Sequence, residues 1–153
     1  MNCPITGCPI KSVILSTIAA FVAVFAFDYV FHSIYMMPDY EMTAQLWRTP
    51  EDMAQYFPYI TLAQVLRSLG YAGLFLMLCK CAGGCNMLMG VRFGVIAGIL
   101  IGACSFASYA YMPVPLQIPL KWFFGEIAQG VLVGMALVIF NRNKKSCCAG
   151  KDA

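Results

Sequence analysis

The sequence predicts an all-α fold, a four-helix transmembrane bundle in which residues 1–153 form a single domain. Hydrophobic residues make up 61% of the chain and charged residues only 11%, against roughly 25% charged in an ordinary soluble domain. Mean hydropathy is +0.74. A water-soluble protein of this size could not bury so much apolar surface, and a disordered chain would not contain it. The net charge of +3 is too small to indicate a nucleic-acid-binding protein.

Four stretches are long and apolar enough to cross a membrane, which takes about 20 residues for about 30 Å of hydrocarbon. They cover about residues 12–35, 59–79, 93–111 and 120–140. The first follows Lys11, as the core of a signal peptide would, but it is longer than such a core and no A-x-A cleavage site follows it. We therefore expect a retained helix. Residues 36–58 form the first outer loop, and residues 141–153 form a basic tail that contains cysteines.

The distribution of basic residues orients the bundle with its N- and C-termini in the cytoplasm. Seven of the ten Lys and Arg residues then lie in cytoplasmic segments, two lie in outer loops and one lies within a span. This bias is typical of cytoplasmic loops. We expect an integral protein of the plasma membrane, which is the inner membrane in a bacterium. The seven cytoplasmic residues are Lys11, Lys80, Arg92, Arg142, Lys144, Lys145 and Lys151.

The first outer loop is expected to contain short helices at the membrane interface. The run Thr49-Pro50-Glu51-Asp52 has a capping hydroxyl, a proline at the first helical position and acidic residues in the first turn, which together indicate a helix start. Before it, Tyr40, Thr43, Leu46 and Trp47 recur at helical spacing, which suits a short helix lying in the interface.

Glycines recur on one face of the third span at four-residue intervals. Such a ridge has no side chains and lets another helix approach closely. Packing within the bundle is the ordinary use of such a ridge, and contact with another copy or with a larger membrane complex is the alternative. The predicted packing residues are Gly90, Gly94, Gly98 and Gly102 on the third span, with Gly130 and Gly134 on the fourth.

Ionisable side chains within the spans define a candidate functional site, because such groups are costly in lipid and mark function by default. Asp28 and His32 lie four residues apart on one face of the first span, Arg67 lies in the second and Glu126 in the fourth. Helical rise places the three charged residues, Asp28, Arg67 and Glu126, at a similar depth in the outer half of the bundle. The predicted intramembrane polar layer consists of Asp28, His32, Gln64, Arg67, Glu126 and Gln129.

Two interpretations of this layer remain open. An unpaired charge there would be too costly, so Arg67 is expected to neutralise Asp28, Glu126 or both. Two ionised acids and one Arg leave one negative charge, which a proton or a cation could remove. Alternatively, the ion pairs only specify which helices meet. The Arg argues against a metal ion at the two carboxylates, because it would compete for them.

Seven of the eight cysteines face the cytoplasm in the predicted topology, where reducing conditions argue against disulfides. Clustered thiolates suit a soft metal ion such as Zn or Cu, although the spacings match no standard zinc or ferredoxin pattern. Ordinary thiols and juxtamembrane lipidation sites are the alternatives. The candidate metal ligands are Cys3, Cys8, Cys79, Cys81, Cys85, Cys147 and Cys148.

Three short motifs resemble a set of small, uncharacterised bacterial four-helix integral membrane proteins. They are the run from Phe27 to His32, the run from Leu46 to Arg48 and the run from Val91 to Gly94. The resemblance extends from the first span to the fourth and implies the four-helix fold. It draws attention to Asp28, His32 and Arg48 and implies no activity. The cysteine-rich ends are not part of the shared pattern.

The first hypothesis for function is transport or the handling of an ion or metal, through the polar layer and the cytoplasmic thiols. The second is a non-catalytic accessory subunit that packs through its glycine ridge against a larger membrane complex. A membrane thiol oxidoreductase is the third. No phosphate loop, nucleophile elbow or H-E-x-x-H motif is present, so the sequence favours a protein that is not an enzyme. Expected partners are the lipid bilayer and either further copies of the chain or a larger complex.

Overall fold

Four long helices and two short ones make up most of the structure, a computed structural model that describes residues 2–141. These residues contain no β-strand, only an isolated bridge between Asn2 and Pro9. The four long helices are each long and apolar enough to cross a membrane, which confirms the prediction of an all-helical chain with four candidate spans. The helices are α1 (Ile10–Val30), α2 (Met37–Met42), α3 (Pro50–Ala54), α4 (Phe57–Cys81), α5 (Met87–Ala107) and α6 (Gln117–Asn141).

The ends of the long helices follow from local sequence signals. The α5 helix begins where the Asn86 side chain accepts a hydrogen bond from the Met89 amide at 2.9 Å, as an N-cap does. Between α4 and α5 the chain turns through Gly83, whose φ of +68° lies in the left-handed region that favours glycine. The α1 helix continues as a π-helical turn, Phe31–Tyr35. Each long helix begins two to six residues before the predicted span, because the caps lie outside the most apolar stretch.

Both ends of the described chain lie at the same end of the bundle. Near that end, the buried side chains of Ser16 on α1 and Asn141 on α6 are joined by a hydrogen bond of 3.0 Å from Nδ2 to Oγ. We call this end of the bundle, where both ends of the described chain lie, the terminal end. The opposite end, where α1 leads into α2 and α5 into α6, is the loop end. The cysteines at 147 and 148 and the rest of the basic tail lie outside the described residues.

The glycine ridge of α5 lies against α6, backbone to backbone. A Cβ added to Gly90 would lie 2.7 Å from the Gly134 carbonyl oxygen, and one added to Gly98 would lie 2.6 Å from that of Glu126. Gly94 faces Gly130 in the same way. The ridge is therefore occupied within the chain. This removes the contact surface that the accessory-subunit hypothesis assigned to it, because a partner helix would have to displace α6.

The largest core cluster lies where α1, α4 and α6 meet. Phe75 of α4 is fully buried among Val24 of α1 and Leu137 of α6. From α5, Phe93 packs against this cluster with its ring centroid 5.3 Å from that of Phe75, edge to face. The outward faces of the long helices carry exposed Leu, Ile, Val and Phe side chains, as lipid-facing surfaces do.

The first loop packs onto the loop end of the bundle. Its Met36 is fully buried beside Val114 and Ile118, and Trp47 packs at the edge of this cluster. The helix predicted across Tyr40 to Trp47 instead ends at Met42 and is followed by a 3₁₀ turn, Ala44–Leu46. A side chain holds this turn, since the Thr43 hydroxyl accepts a hydrogen bond from the Trp47 indole at 2.8 Å.

The predicted helix start at Thr49 is confirmed in this loop. Helix α3 begins at Pro50, and the Thr49 hydroxyl accepts a hydrogen bond from the Asp52 amide at 3.3 Å. The capping hydroxyl satisfies an amide that the first turn of the helix would otherwise leave without a partner.

Substituting Gly98→Ala should destabilise the bundle, because the new Cβ would meet the α6 backbone, which cannot rotate away. We expect a loss of about 1–3 kcal/mol, measured as a lower thermal unfolding temperature in detergent micelles. Gly70→Ala on α4 is the matched control, since a Cβ there meets nothing within 4 Å. An equal loss in both variants would show that the α5–α6 contact is not the cause.

Candidate functional site

A single guanidinium joins three helices in the half of the bundle nearer the loop end. Arg67 of α4 donates from Nη2 to Asp28 Oδ2 of α1 at 2.6 Å. Its Nη1 donates to both oxygens of Glu126 on α6, at 3.1 and 3.2 Å. The three side chains are only 17–20% exposed. The structure therefore brings together the three charged residues of the predicted layer.

Two glutamine side chains complete the shell around Asp28. Gln64 Nε2 donates to Asp28 Oδ2 at 2.9 Å, and Gln129 Nε2 donates to Asp28 Oδ1. Each belongs to the same helix face as a charged residue, because Gln64 precedes Arg67 by three positions and Gln129 follows Glu126 by three. Among the described side chains, Asp28 thus accepts three hydrogen bonds, whereas Glu126 accepts only from Arg67.

The formal charge of this cluster is one negative unit. With both carboxylates ionised, one guanidinium faces two anions, so one negative charge lacks a counter-charge among Asp28, Gln64, Arg67, Glu126 and Gln129. Charge of this kind in a membrane span is costly. Uptake of a proton or a monovalent cation would balance it.

A cavity of about 100 Å³ adjoins the cluster. Asp28, Glu126 and Gln129 contribute to its wall, and Ser105 contributes from α5. Gln129 is 1% exposed, and its Oε1 has no hydrogen-bond partner among the described residues. Because Gln129 lines the cavity, a ligand there that donates hydrogen bonds is favoured as the partner of this buried acceptor.

His32 lines the same cavity, but its hydrogen bond is to Tyr40 and not to a residue of the ion-paired cluster. Its Nδ1 lies 2.6 Å from the Tyr40 hydroxyl, which accepts a hydrogen bond from the Trp122 indole at 2.9 Å. The Tyr40 proton can then be donated to His32. Burial raises the pKa of Tyr40 to about 12, so the phenol keeps its proton at neutral pH. His32 is part of the cavity wall rather than of the ion-paired cluster.

Tyr40 and Trp122 contribute to this site although the sequence did not predict it, and neither was the ion pair between Lys121 and Asp39 at the loop end predicted. Lys121 Nζ lies 2.6 Å from Asp39 Oδ2, and the Gln117 amide donates to the other oxygen at 3.2 Å. The Asp39 residue is 3% exposed. The sequence signal was weak, since Asp39 is one of several acids in the loop and Lys121 stands at the edge of a span.

The structure corrects the expectation that no cysteine is paired. Cys79 and Cys85 form a disulfide, because the turn after α4 closes with a hydrogen bond from the Gly84 amide to the Cys79 carbonyl at 3.1 Å. This brings the two Cα atoms within 5.2 Å. Sulfurs joined in a disulfide are not thiolate ligands. The disulfide instead agrees with the paired cysteines that a membrane thiol oxidoreductase would need.

The other predicted metal ligands that the structure describes do not form a cluster. Cys3 and Cys81 are free thiols, and Cys8 is fully buried against Leu76. Within residues 2–141, no group of three His, Cys, Asp or Glu side chains is placed to hold a metal ion. The thiol arrangement in this part of the chain does not support metal handling.

No family model matches the chain, and comparisons with curated proteins and with solved structures find no match.

Removing the central cation should destabilise the protein strongly. Arg67→Met leaves two carboxylates without their charge partner, and we expect a loss of about 3–5 kcal/mol, read as a lower thermal unfolding temperature. The matched control is Arg48→Met, because the Arg48–Asp52 pair is 52% and 40% exposed and exposed pairs contribute little. Comparable losses in the two variants would contradict this account.

The buried phenol should make stability depend on pH in the alkaline range. The folded state holds the Tyr40 proton more tightly than the unfolded chain does, so this stabilisation is complete below pH 10.0 and is lost as the pH rises to about 12. Tyr40→Phe should therefore show a smaller fall in unfolding temperature across this range. The same fall in both proteins would show that another group is responsible.

Proposed function

We propose that this small polytopic membrane protein handles a proton or a monovalent cation in transport, and that the Asp28–Arg67–Glu126 cluster is the binding site. The observation that carries the proposal is the cavity beside a cluster with one uncompensated negative charge and a buried acceptor, Gln129 Oε1, that has no partner within residues 2–141. A purely structural ion pair needs neither the second carboxylate nor the cavity. Ionisable groups in spans commonly mark such pathways.

Glu126 is the carboxylate that we expect to exchange its proton. Asp28 is held by three donors, one guanidinium and two amides, whereas Arg67 is the only side-chain donor to Glu126 in the part of the chain that the structure describes. Protonation of Glu126 would leave Arg67 and Asp28 as a balanced pair. Release of that proton would restore the negative charge, so the cluster can alternate between two charge states without unpairing Arg67.

The cavity indicates the side from which the cluster is reached. Its wall includes His32 and Trp122, which are bonded to Tyr40 of the first loop. The site is therefore nearer to the loop end than to the terminal end. The excess of Lys and Arg in the sequence segments that adjoin the terminal end supports a cytoplasmic position for that end. This count outweighs the Cys79–Cys85 disulfide at the same end, a bond that is rare in a reducing compartment. In this orientation the cluster exchanges its proton or cation with the outer side of the plasma membrane.

Proton handling can be tested with the isosteric substitution Glu126→Gln, which keeps an acceptor for Arg67. In proteoliposomes with a trapped pH-sensitive dye, an imposed potential should drive proton flux through the wild type. We expect Glu126→Gln to lower this flux by roughly 10-fold or more, the factor that corresponds to about 1.4 kcal/mol. The control is Glu41→Gln, an exposed acid of the first loop, which should leave the flux unchanged.

Infrared difference spectra give a second readout, independent of flux. On acidification the wild type should show the C=O band of a protonated carboxylic acid, and this band should be absent from Glu126→Gln. If neither the flux nor the band differs between wild type and Glu126→Gln, the proposal is wrong.

A further inference from the structure

An apolar groove runs along the lateral surface of the bundle between α1 and α6. Its volume is about 440 Å³, within the range of small-molecule sites. The groove lies in the half of the spans nearer the loop end and faces outward from the bundle. Its walls include Phe27, Phe31 and Tyr35 on one side and Leu120, Phe124 and Ala128 on the other.

The groove adjoins the polar cavity and shares part of its wall with it. Phe27, Phe31 and Gly125 belong to the walls of both spaces. The Phe31 ring packs directly on Gly125, since a Cβ there would lie 2.5 Å from the ring Cζ. Phe31 also begins the π-helical turn, a local structure that is frequent at functional sites. A ligand that occupies both spaces has to pass between or displace the shared Phe27 and Phe31 rings.

The two spaces call for different chemistry at the two ends of one ligand. The cavity side has one uncompensated negative charge and the unpartnered Gln129 Oε1, so it suits a cation that carries N–H donors. Aromatic rings of Phe27, Phe31 and Trp122 in the cavity wall also favour a cation. The groove offers only apolar contact along most of its length.

The other charged groups near these spaces do not oppose a cationic ligand. Lys121 stands at the rim of the groove, but its ammonium is paired with Asp39 at 2.6 Å. Arg67 is engaged by Asp28 and Glu126. The carboxylates are therefore the charges that an entering cation meets.

We infer that the cluster binds a protonated primary alkylamine that enters laterally from the bilayer. The ammonium group lies at Asp28, Glu126 and Gln129, and the alkyl chain lies in the groove. The inference rests on the proposed function, because it names the substrate class of the same cluster. Binding of the ammonium supplies the positive charge that a proton on Glu126 would otherwise supply.

Equilibrium dialysis of labelled decylamine tests the inference, with the protein in lipid nanodiscs and empty nanodiscs as the measure of partitioning. Saturable binding above the empty nanodiscs is expected for the wild type. Ala128→Leu fills the groove without touching the cluster and should weaken binding by roughly tenfold. Ala103→Leu, at an exposed alanine of α5, is the matched control and should bind as the wild type does.

The head group is tested by replacing the probe. Decyltrimethylammonium has the same chain and charge but no N–H donor, so it would leave Gln129 Oε1 without a partner and should bind roughly tenfold more weakly or worse. Equal binding of the two probes would overturn the assignment of the head group. Equal binding by Ala128→Leu and wild type, or binding no greater than that of empty nanodiscs, would overturn the inference as a whole.

The infrared band of Glu126 separates this inference from the proposed function. If the band is present in the wild type and lost in Glu126→Gln while decylamine does not bind, only the alkylamine inference fails. If the band does not change either, the proposed function fails with it. Ala128→Leu should keep the band, which would show that its cluster is folded.

Discussion

The arrangement of the bundle depends on one guanidinium that serves two carboxylates inside the apolar part of the protein. Both carboxylates reach Arg67 only when α1 and α6 lie beside α4 with Asp28 and Glu126 at its depth. In lipid no bulk water can replace a missing partner. A shift of any of these helices by one turn would leave a charge unpaired, so the pairing fixes their register as well as their neighbours.

The glycine contact between α5 and α6 contributes to the same site. Gly98 approaches the backbone carbonyl of Glu126 so closely that a Cβ would lie 2.6 Å from the oxygen. The absence of side chains on this face lets α5 lie against α6 directly behind Glu126, and Ser105 then reaches the cavity wall. Packing and chemistry are thus coupled, because the contact that stabilises the helix pair also sets the position of the carboxylate.

The first loop is part of the site and not merely a connection between spans. Its buried Met36 anchors it to the loop end, and Asp39 and Tyr40 reach α6 through Lys121 and Trp122. Both α6 residues stand within the first two turns of that helix. The loop therefore helps to hold His32 and the cavity wall in place.

The helical class, the four candidate spans, the cap at Thr49 and the residue types of the polar layer can all be predicted from the amino-acid sequence. These follow from local quantities, namely composition, the length of apolar runs and spacing along one helix. Only the tertiary structure decided that Arg67 pairs with both acids, that His32 bonds to Tyr40 and that the glycine ridge is occupied by α6. It also decided that Cys79 meets Cys85. Such contacts depend on the relative rotation and depth of separate segments, and a pattern along one segment does not contain that information.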